Sequence, residues 1–405
     1  MQTLSASCVI AGGGPAGMMT ALLLARAGVD VVILEKHEDF LRDFRGDTIH
    51  PSTLDLLFEL GILDKFLAET HTEVRSISVE IGKESFTVGD FTHLPTHCKF
   101  LALMPQWDFL TFLLREAEQY PSFRLMMQSE VTDLLAKGGR IMGVLAKTAN
   151  GPVEIHASLV IGADGRNSVV REKANLKVRD IGAPFDVLWL RLPRADSDPT
   201  EPVARFQGGD FFIMLYRGDY WQCAFVIPKG GLATMKAEGL TGFRARLRTV
   251  AGFARDRVES IESFDDLKLL TVKVDRLDQW ARRGLLCIGD AAHAMSPVGG
   301  VGINLAIQDA VATANILAPV LAKRKPKLGD LKKVQRRRSW PTKAVQWFQV
   351  RVQNNILAPN MRARQTPKPP AFLYLLNKWP WLRRWPARFI GVGVRPEHIK
   401  TQAVG

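Results

Sequence analysis

The chain opens on an apolar run from Ser7 to Ala11. It then passes through Gly12-Gly13-Gly14-Pro15-Ala16-Gly17, an apolar stretch from Met18 to Ala27, and a second short run from Val31 to Glu35. This order predicts strand, glycine turn, helix and strand, a βαβ unit whose first turn carries G-x-G-x-x-G. Each glycine answers a separate demand. Gly12 permits the tight turn, Gly14 lets the backbone approach a pyrophosphate, and Gly17 lets helix and strand pack closely. The helix start then offers its N–H groups and dipole to phosphate. Glu35 stands 18 residues after Gly17, where a carboxylate can accept hydrogen bonds from ribose hydroxyls. These residues alone leave NAD and FAD equally open.

Two further strand ends carry polar turns. Val160 to Arg171 reads as a buried strand stopping at Asp164-Gly165 and continuing into a basic helix start. Gly284 to His293 reads as a strand ending at Asp290, followed by Pro297, Gly299, Gly300, Gly302 and Asn304 and an apolar helix from Ile303 to Leu317. Between them, Val187 to Leu192, Val203 to Gln207, Phe211 to Arg217 and Tyr220 to Ile227 read as strands and hairpins. Both parities of Phe211 to Tyr216 are apolar, so that sheet is expected to be covered on both faces.

Composition narrows the class. With 405 residues, 46% hydrophobic and 23% charged, the chain is neither disordered nor fibrous, and its length suits two or three domains at about 100 to 200 residues each. The net charge of +13 is unevenly placed: residues 321–405 hold 20 Lys and Arg against Asp330 and Glu397, or +18, while the rest carries 34 basic against 39 acidic residues, or −5. Five of the nine tryptophans, Trp340, Trp347, Trp379, Trp381 and Trp385, lie in that basic segment. Four scattered cysteines without metal-ligand spacing suggest neither zinc nor disulfides, so no metal is expected. There is no secretory signal pattern, and Met18 to Leu34, broken by Arg26 and Asp30, is short of the about 20 apolar residues a membrane span needs. A cytoplasmic location follows. One G-x-G-x-x-G implies one tightly held dinucleotide, and the lack of C-x-x-C excludes a disulfide reductase.

The three motifs, in this order and spacing, resemble the class A FAD-dependent monooxygenases, the para-hydroxybenzoate hydroxylase-like family related to the ubiquinone-biosynthesis hydroxylases. The resemblance spans roughly residues 5–355 and is most specific from Gly289 to Asn304. It implies an α/β fold: a Rossmann-like FAD-binding domain over 1–72, 100–180 and 271–320, an inserted, mostly antiparallel β-sheet substrate domain over 73–99 and 181–270, and a C-terminal helical region over 321–405. By resemblance Gly12, Gly14, Ala16 and Gly17 cradle the FAD pyrophosphate, Glu35 with Lys36 beside it meets the adenosine ribose, and Val131 meets adenine. Gln106 and Asp164 orient the cofactor, and Asp290 meets the ribityl chain. Pro297 and Gly300 line the flavin, while Gly302, Ile303 and Asn304 present a helix start to the flavin edge where negative charge develops on reduction.

Arg45, with Arg42 as neighbour, is placed by the resemblance near the pyrophosphate and the nicotinamide. His50 is the candidate proton shuttle to a substrate hydroxyl, with a local turn hydrogen bond as its plain alternative. His293 reads as a turn histidine. Phe212, Met214, Tyr216 and Trp221, or the alternates Phe211, Ile213 and Leu215, would line a substrate cavity, against ordinary core packing. The implied activity is hydroxylation of a bulky, apolar, aromatic small molecule with NADPH or NADH and O2, through a flavin C4a-hydroperoxide. The rivals are a same-fold reductase of an isoprenoid or quinone-like substrate and a non-catalytic flavin-binding protein. Halogenation is disfavoured, because the only W-x-W, Trp379-Pro380-Trp381, lies in the basic segment. Within that segment Leu331 to Leu357 resembles the family's helix packed across the flavin domain, while residues 370–400 suit either peripheral contact with the inner membrane face or contact with a partner. No nucleic-acid module is present, and a monomer or homodimer is expected.

Overall fold

A computed structural model describes residues 2–41, 48–363 and 366–404. Five parallel strands form its first layer: β1 (Gln2–Ala11), β2 (Val31–Leu34), β3 (Phe123–Met126), β4 (Gly151–Gly162) and β5 (Leu285–Cys287), in the order β5-β4-β1-β2-β3. Cys8 to Ala11 and Val31 to Leu34 are buried without alternation, as parallel strands covered on both faces must be. The hairpin Glu130–Lys137 and Arg140–Thr148 extends β4 on one edge.

Helices cover this sheet and the second one described below. The first is α1 (Pro15–Arg26), buried almost all round from Ala16 to Ala25. After it come α2 (Pro51–Glu59), α3 (Gln106–Ala117), α4 (Leu232–Val250, interrupted at Gly239 with φ +84°) and α5 (Gly302–Leu321). The stretch Val298–Leu321 is long and apolar enough to cross a membrane, but 83% of its apolar window is buried inside the protein, which makes it a core helix. Then follow α6 (Leu328–Val352), α7 (Ala371–Lys378) and α8 (Arg384–Gly391), with shorter helices between these elements.

The second layer is a seven-stranded sheet in the order Lys268–Leu270, Phe185–Pro193, Tyr220–Pro228, Asp210–Tyr216, Val203–Gln207, Ser76–Ile81 and Glu84–Asp90. All its neighbours are antiparallel except Val203–Gln207 with Ser76–Ile81. One face carries Leu188, Phe212, Met214, Trp221 and Phe225 against Phe243 and Leu247 of α4. The opposite face carries Phe211 and Ile213 in one apolar cluster with Val298 and with Leu373 and Leu376 of α7. The C-terminal segment then runs back across the first layer, where Arg26 donates to the Thr401 carbonyl and Val404 N–H donates to that of Arg26.

Candidate functional site

The first turn is built around steric necessity. Gly12 adopts φ +100°, and a Cβ there would sit 2.4 Å from the Ala163 carbonyl oxygen at the end of the neighbouring strand. A Cβ on Gly17 would lie 1.9 Å from the Gly12 carbonyl oxygen, so helix and turn touch only because it is absent. Gly14 is different: nothing lies within 4 Å of its Cβ position, and it opens α1 without a side-chain cap. The start of α1 therefore leaves its first N–H groups without a side-chain acceptor among the described residues. Buried Glu35 closes the cradle, its Oε2 accepting from the Gly13 N–H at 2.9 Å and its Oε1 from the His37 N–H at 3.1 Å. Lys36 is exposed beside it, Val131 is buried in the flanking hairpin, and Gln106 begins α3.

The second and third motifs meet each other. Asp290, past the end of β5, accepts from Arg166 at 3.2 Å, and both side chains are partly exposed. Sequence reasoning had not given Arg166 a role, though its position two residues after Asp164 marks it. Asp164 itself is turned inward: Ser168 Oγ donates to one oxygen and the Val170 N–H to the other at 3.0 Å, so it caps the short helix Val169–Lys173. Burial pushes its carboxyl upward, and these hydrogen bonds only partly offset that. Gly299 and Gly300 both take positive φ, +80° and +62°, and with Pro297 they form an exposed turn. Beyond it α5 starts at Gly302 with no side-chain cap and with open space at the Gly302 Cβ position. Asn304 accepts from Thr53 Oγ1 at 2.6 Å through Oδ1, while its buried Nδ2 has no partner among the described residues. Two uncapped helix starts, two glycines on open space and an orphaned buried donor fit a flavin dinucleotide.

His50 does not match a proton shuttle. The ring is fully buried, Nδ1 lies 2.7 Å from the Ile390 carbonyl oxygen and Nε2 lies 3.2 Å from that of Gly300. Burial lowers its pKa to about 4 against the pull of those carbonyls, so it is neutral near pH 7. Both nitrogens face backbone, and neither is offered to a substrate. Arg45 and Arg42 lie outside the described residues. His293 is buried with Nε2 2.6 Å from Asp309 Oδ2, and Arg338 donates to Asp309 Oδ1 at 3.0 Å and to Glu397 at 3.2 Å. Burial alone would raise the Asp309 pKa, yet the His293 and Arg338 charges outweigh it and hold the carboxyl below its ordinary value. The one clue in the sequence was Asp309 itself, the single charged residue of an otherwise uncharged helix.

The substrate side needs a correction of parity. Phe212, Met214 and Trp221 are fully buried beneath α4, and Tyr216 leans edge-on against Trp221 with Arg194 over its ring. They are core, because α4 and the turn Gly252–Ser260 fill that face. The alternates occupy the other side: Phe211 and Ile213 share a cluster with Val298, and Leu215 shares one with Ile390. A cleft of about 220 Å³ lined by Glu80, Pro199 and Phe253 among others has no residue in common with the glycine cradle or with this face.

Comparison with known proteins bears on this geometry. The FAD binding domain family matches residues 5–347. The chain is 33% identical over 380 residues to the 6-methylpretetramide 4-monooxygenase of Streptomyces rimosus, covering 93% of this chain and 90% of that protein. It is 25% identical over 329 residues to the pentachlorophenol 4-monooxygenase of Sphingobium chlorophenolicum, covering 76% of this chain and spanning only 57% of that protein. Among solved structures, the anhydrotetracycline hydroxylase OxyS of Streptomyces rimosus superposes with a TM-score of 0.75 at 23% identity, over 96% of this chain and 76% of that one.

Proposed function

The chain belongs to the FAD binding domain family of class A flavin-dependent aromatic monooxygenases, and from that premise we propose that it hydroxylates a bulky, uncharged, polycyclic aromatic of the polyketide class. One observation carries the substrate reading. The exposed Pro297–Gly300 turn adjoins an apolar cluster in which Val298 joins Phe211 and Ile213 from the inner face of the second sheet. The relative named for 6-methylpretetramide supports the same class.

Bound FAD supplies hydride acceptance from NADH or NADPH and the activation of O2. The protein supplies position and field. The uncapped start of α1 at Gly14 would hold the pyrophosphate, Glu35 the adenosine ribose, and Asp290 with Arg166 the ribityl chain. The uncapped start of α5 at Gly302 and Ile303, with Asn304 Nδ2, would face the flavin edge that becomes negative on reduction. Gly299 and Gly300 would line the cofactor without adding side chains of their own, which would leave room for oxygen and substrate. The apolar inner face keeps water away from the reacting atoms. His50 ties the loop before α2 to the C-terminal helix α8 and moves no proton. We place the enzyme with the cytoplasmic NAD(P)H pool, as a monomer or homodimer.

The test is anaerobic mixing of the holoenzyme with NADH or NADPH, then with oxygen, across a panel of phenols and fused-ring aromatics. Flavin bleaching accelerated by an aromatic, and a product one oxygen atom heavier, support the reading. Bound flavin that no nicotinamide bleaches would move the non-catalytic reading ahead, and reduction of substrate without oxygen uptake would favour the reductase.

A further inference from the structure

The tryptophans of this chain divide by place. Trp221 and Trp280 are buried, whereas Trp340, Trp347, Trp379, Trp381 and Trp385 are 44–67% exposed. Exposed large rings gathered in one region mark an interaction surface. The helices that carry them are anchored on their opposite sides. Leu373 and Leu376 of α7 are buried, Tyr374 donates to Glu84 and Asn377 donates to the Ser85 carbonyl, while Phe372, Leu375 and Trp379 point outward at spacings of three and four. On α6, Arg338, Thr342, Val345 and Gln349 face inward and Trp340 and Trp347, two turns apart, face solvent. The rings of Phe348 and Phe389, 4.9 Å apart, join α6 to α8, where Trp385 lies one turn before Phe389.

The segment that carries this face is basic: residues 331–396 contain no Asp or Glu and 15 Lys and Arg, although Arg337 and Arg338 are engaged by Glu397 and Asp309 and Glu84 lies against Tyr374 at its edge. Cations sit over the exposed rings, Arg351 at 4.8 Å from the Trp347 centroid and Lys378 at 5.3 Å from that of Trp379. A second copy meeting this face through its own would bring like charges together. An anionic lipid surface satisfies both features, because tryptophan settles at the headgroup layer and Lys and Arg meet lipid phosphate.

We propose that the outward faces of α6, α7 and α8 form a docking surface for an anionic lipid bilayer, with Trp379, Trp381 and Trp385 in the headgroup layer and Lys378, Arg384 and Arg388 on lipid phosphates. The same α8 supplies the Ile390 carbonyl that meets His50, so the docked face backs onto the Pro297–Gly300 turn. Binding is read without turnover, so the surface stands or falls separately from the hydroxylation reading.

The experiment is co-sedimentation of the holoenzyme with phosphatidylglycerol vesicles and, in parallel, phosphatidylcholine vesicles, at low and high salt. Pelleting with phosphatidylglycerol alone, a blue shift of tryptophan emission and release by salt are expected. Arg384→Glu and Arg388→Glu should each weaken partition about fivefold or more, and Trp381→Ser with Trp385→Ser should weaken it while salt sensitivity persists. These positions are exposed, so flavin absorbance and thermal unfolding should match the parent, which separates lost docking from lost folding. Protein left in the supernatant with phosphatidylglycerol at low salt, equal binding to both lipids, or variants that bind as the parent does would overturn the proposal. Duplex DNA bound with the same loss in the variants would assign the face to nucleic acid, and a dimer broken by them would assign it to a second copy. Either result overturns it too.

Discussion

Nδ1 of His50 lies 2.7 Å from the carbonyl oxygen of Ile390, a residue 340 positions further along the chain. Its other ring nitrogen faces the carbonyl of Gly300 at 3.2 Å. One buried imidazole therefore ties the loop before α2 to the C-terminal helix α8 and packs its other nitrogen against the glycine turn without a hydrogen bond to it. With the pKa near 4, the ring carries one proton at neutral pH, and the shorter contact marks Nδ1–H donating to Ile390.

That tie carries a pH dependence of known sign. The ring titrates near 6.5 when unfolded and near 4 when folded, so below pH 6.5 the unfolded chain takes up the proton first. Stability is complete above about pH 6.5 and falls as the pH drops toward 4, by up to about 3 kcal/mol. Denaturant unfolding across this window should show that slope, and His50→Asn should flatten it. An equal slope in the variant would sink the assignment.

Gly14 and Gly17 should separate ligand from fold. At Gly14 the φ is −73° and the Cβ position is open, so Gly14→Ala should leave the melting temperature of the apoprotein unchanged while lowering flavin content, because the methyl enters the phosphate space. Gly17→Ala drives a Cβ to 1.9 Å from backbone oxygen and should destabilise the apoprotein itself by about 2 kcal/mol or more. Flavin absorbance per chain and thermal unfolding, measured together, decide this. Full flavin loading in Gly14→Ala would remove that glycine from the cofactor site.

The contrast explains what the sequence could reveal. The βαβ unit and its glycines were legible because each glycine answers a demand set by residues near it or at the end of an adjacent strand, as Gly12 does against Ala163. The parity of Phe211 to Tyr216 was not, because both faces are apolar and the choice is made by α4, which covers Phe212 and Met214. His50 was visible as a candidate with two open roles, and the sequence could not choose between them because the backbone groups it faces, at Gly300 and Ile390, lie 250 and 340 positions away. The joining of Asp309, Arg338 and Glu397 was hidden for the same reason.

Arg338 should prove far more costly to remove than any surface arginine. It is buried between Asp309 and Glu397, and Arg337 adds a second contact to Glu397 at 2.6 Å. Arg338→Met leaves two buried carboxylates short of a partner, an expected loss of about 3 to 5 kcal/mol, and removes one of the charges that hold Asp309 low. Glu397→Gln should cost less, because the amide still accepts from an arginine, while loosening residues 398–404. Chemical denaturation gives the first value and hydrogen exchange along that segment the second. Arg338→Met within about 1 kcal/mol of the parent would show that the cluster contributes little.

Gln349 tests whether the turn before α5 must be held for the chemistry as well as for the fold. Its Nε2 donates to the carbonyls of Ser296 and Val298, at 2.8 Å each, and so grips the start of the Pro297–Gly300 turn from α6. The two carbonyl acceptors fix the amide orientation, which leaves the buried Oε1 without a partner. Gln349→Leu keeps the volume and relieves the stranded oxygen, but it leaves the Ser296 and Val298 carbonyls without this donor, so the unfolding free energy should fall by about 1 to 3 kcal/mol while the chain still folds. The turn, now free to shift, no longer fixes the substrate against the cofactor, and positioning errors of this kind lower the reacting fraction steeply. Flavin content and the rate of reduction by NAD(P)H should hold, while more of the reductant ends as hydrogen peroxide and less as hydroxylated product. Peroxide formed per NAD(P)H consumed reads this directly, and a ratio equal to that of the parent would show that Gln349 positions nothing.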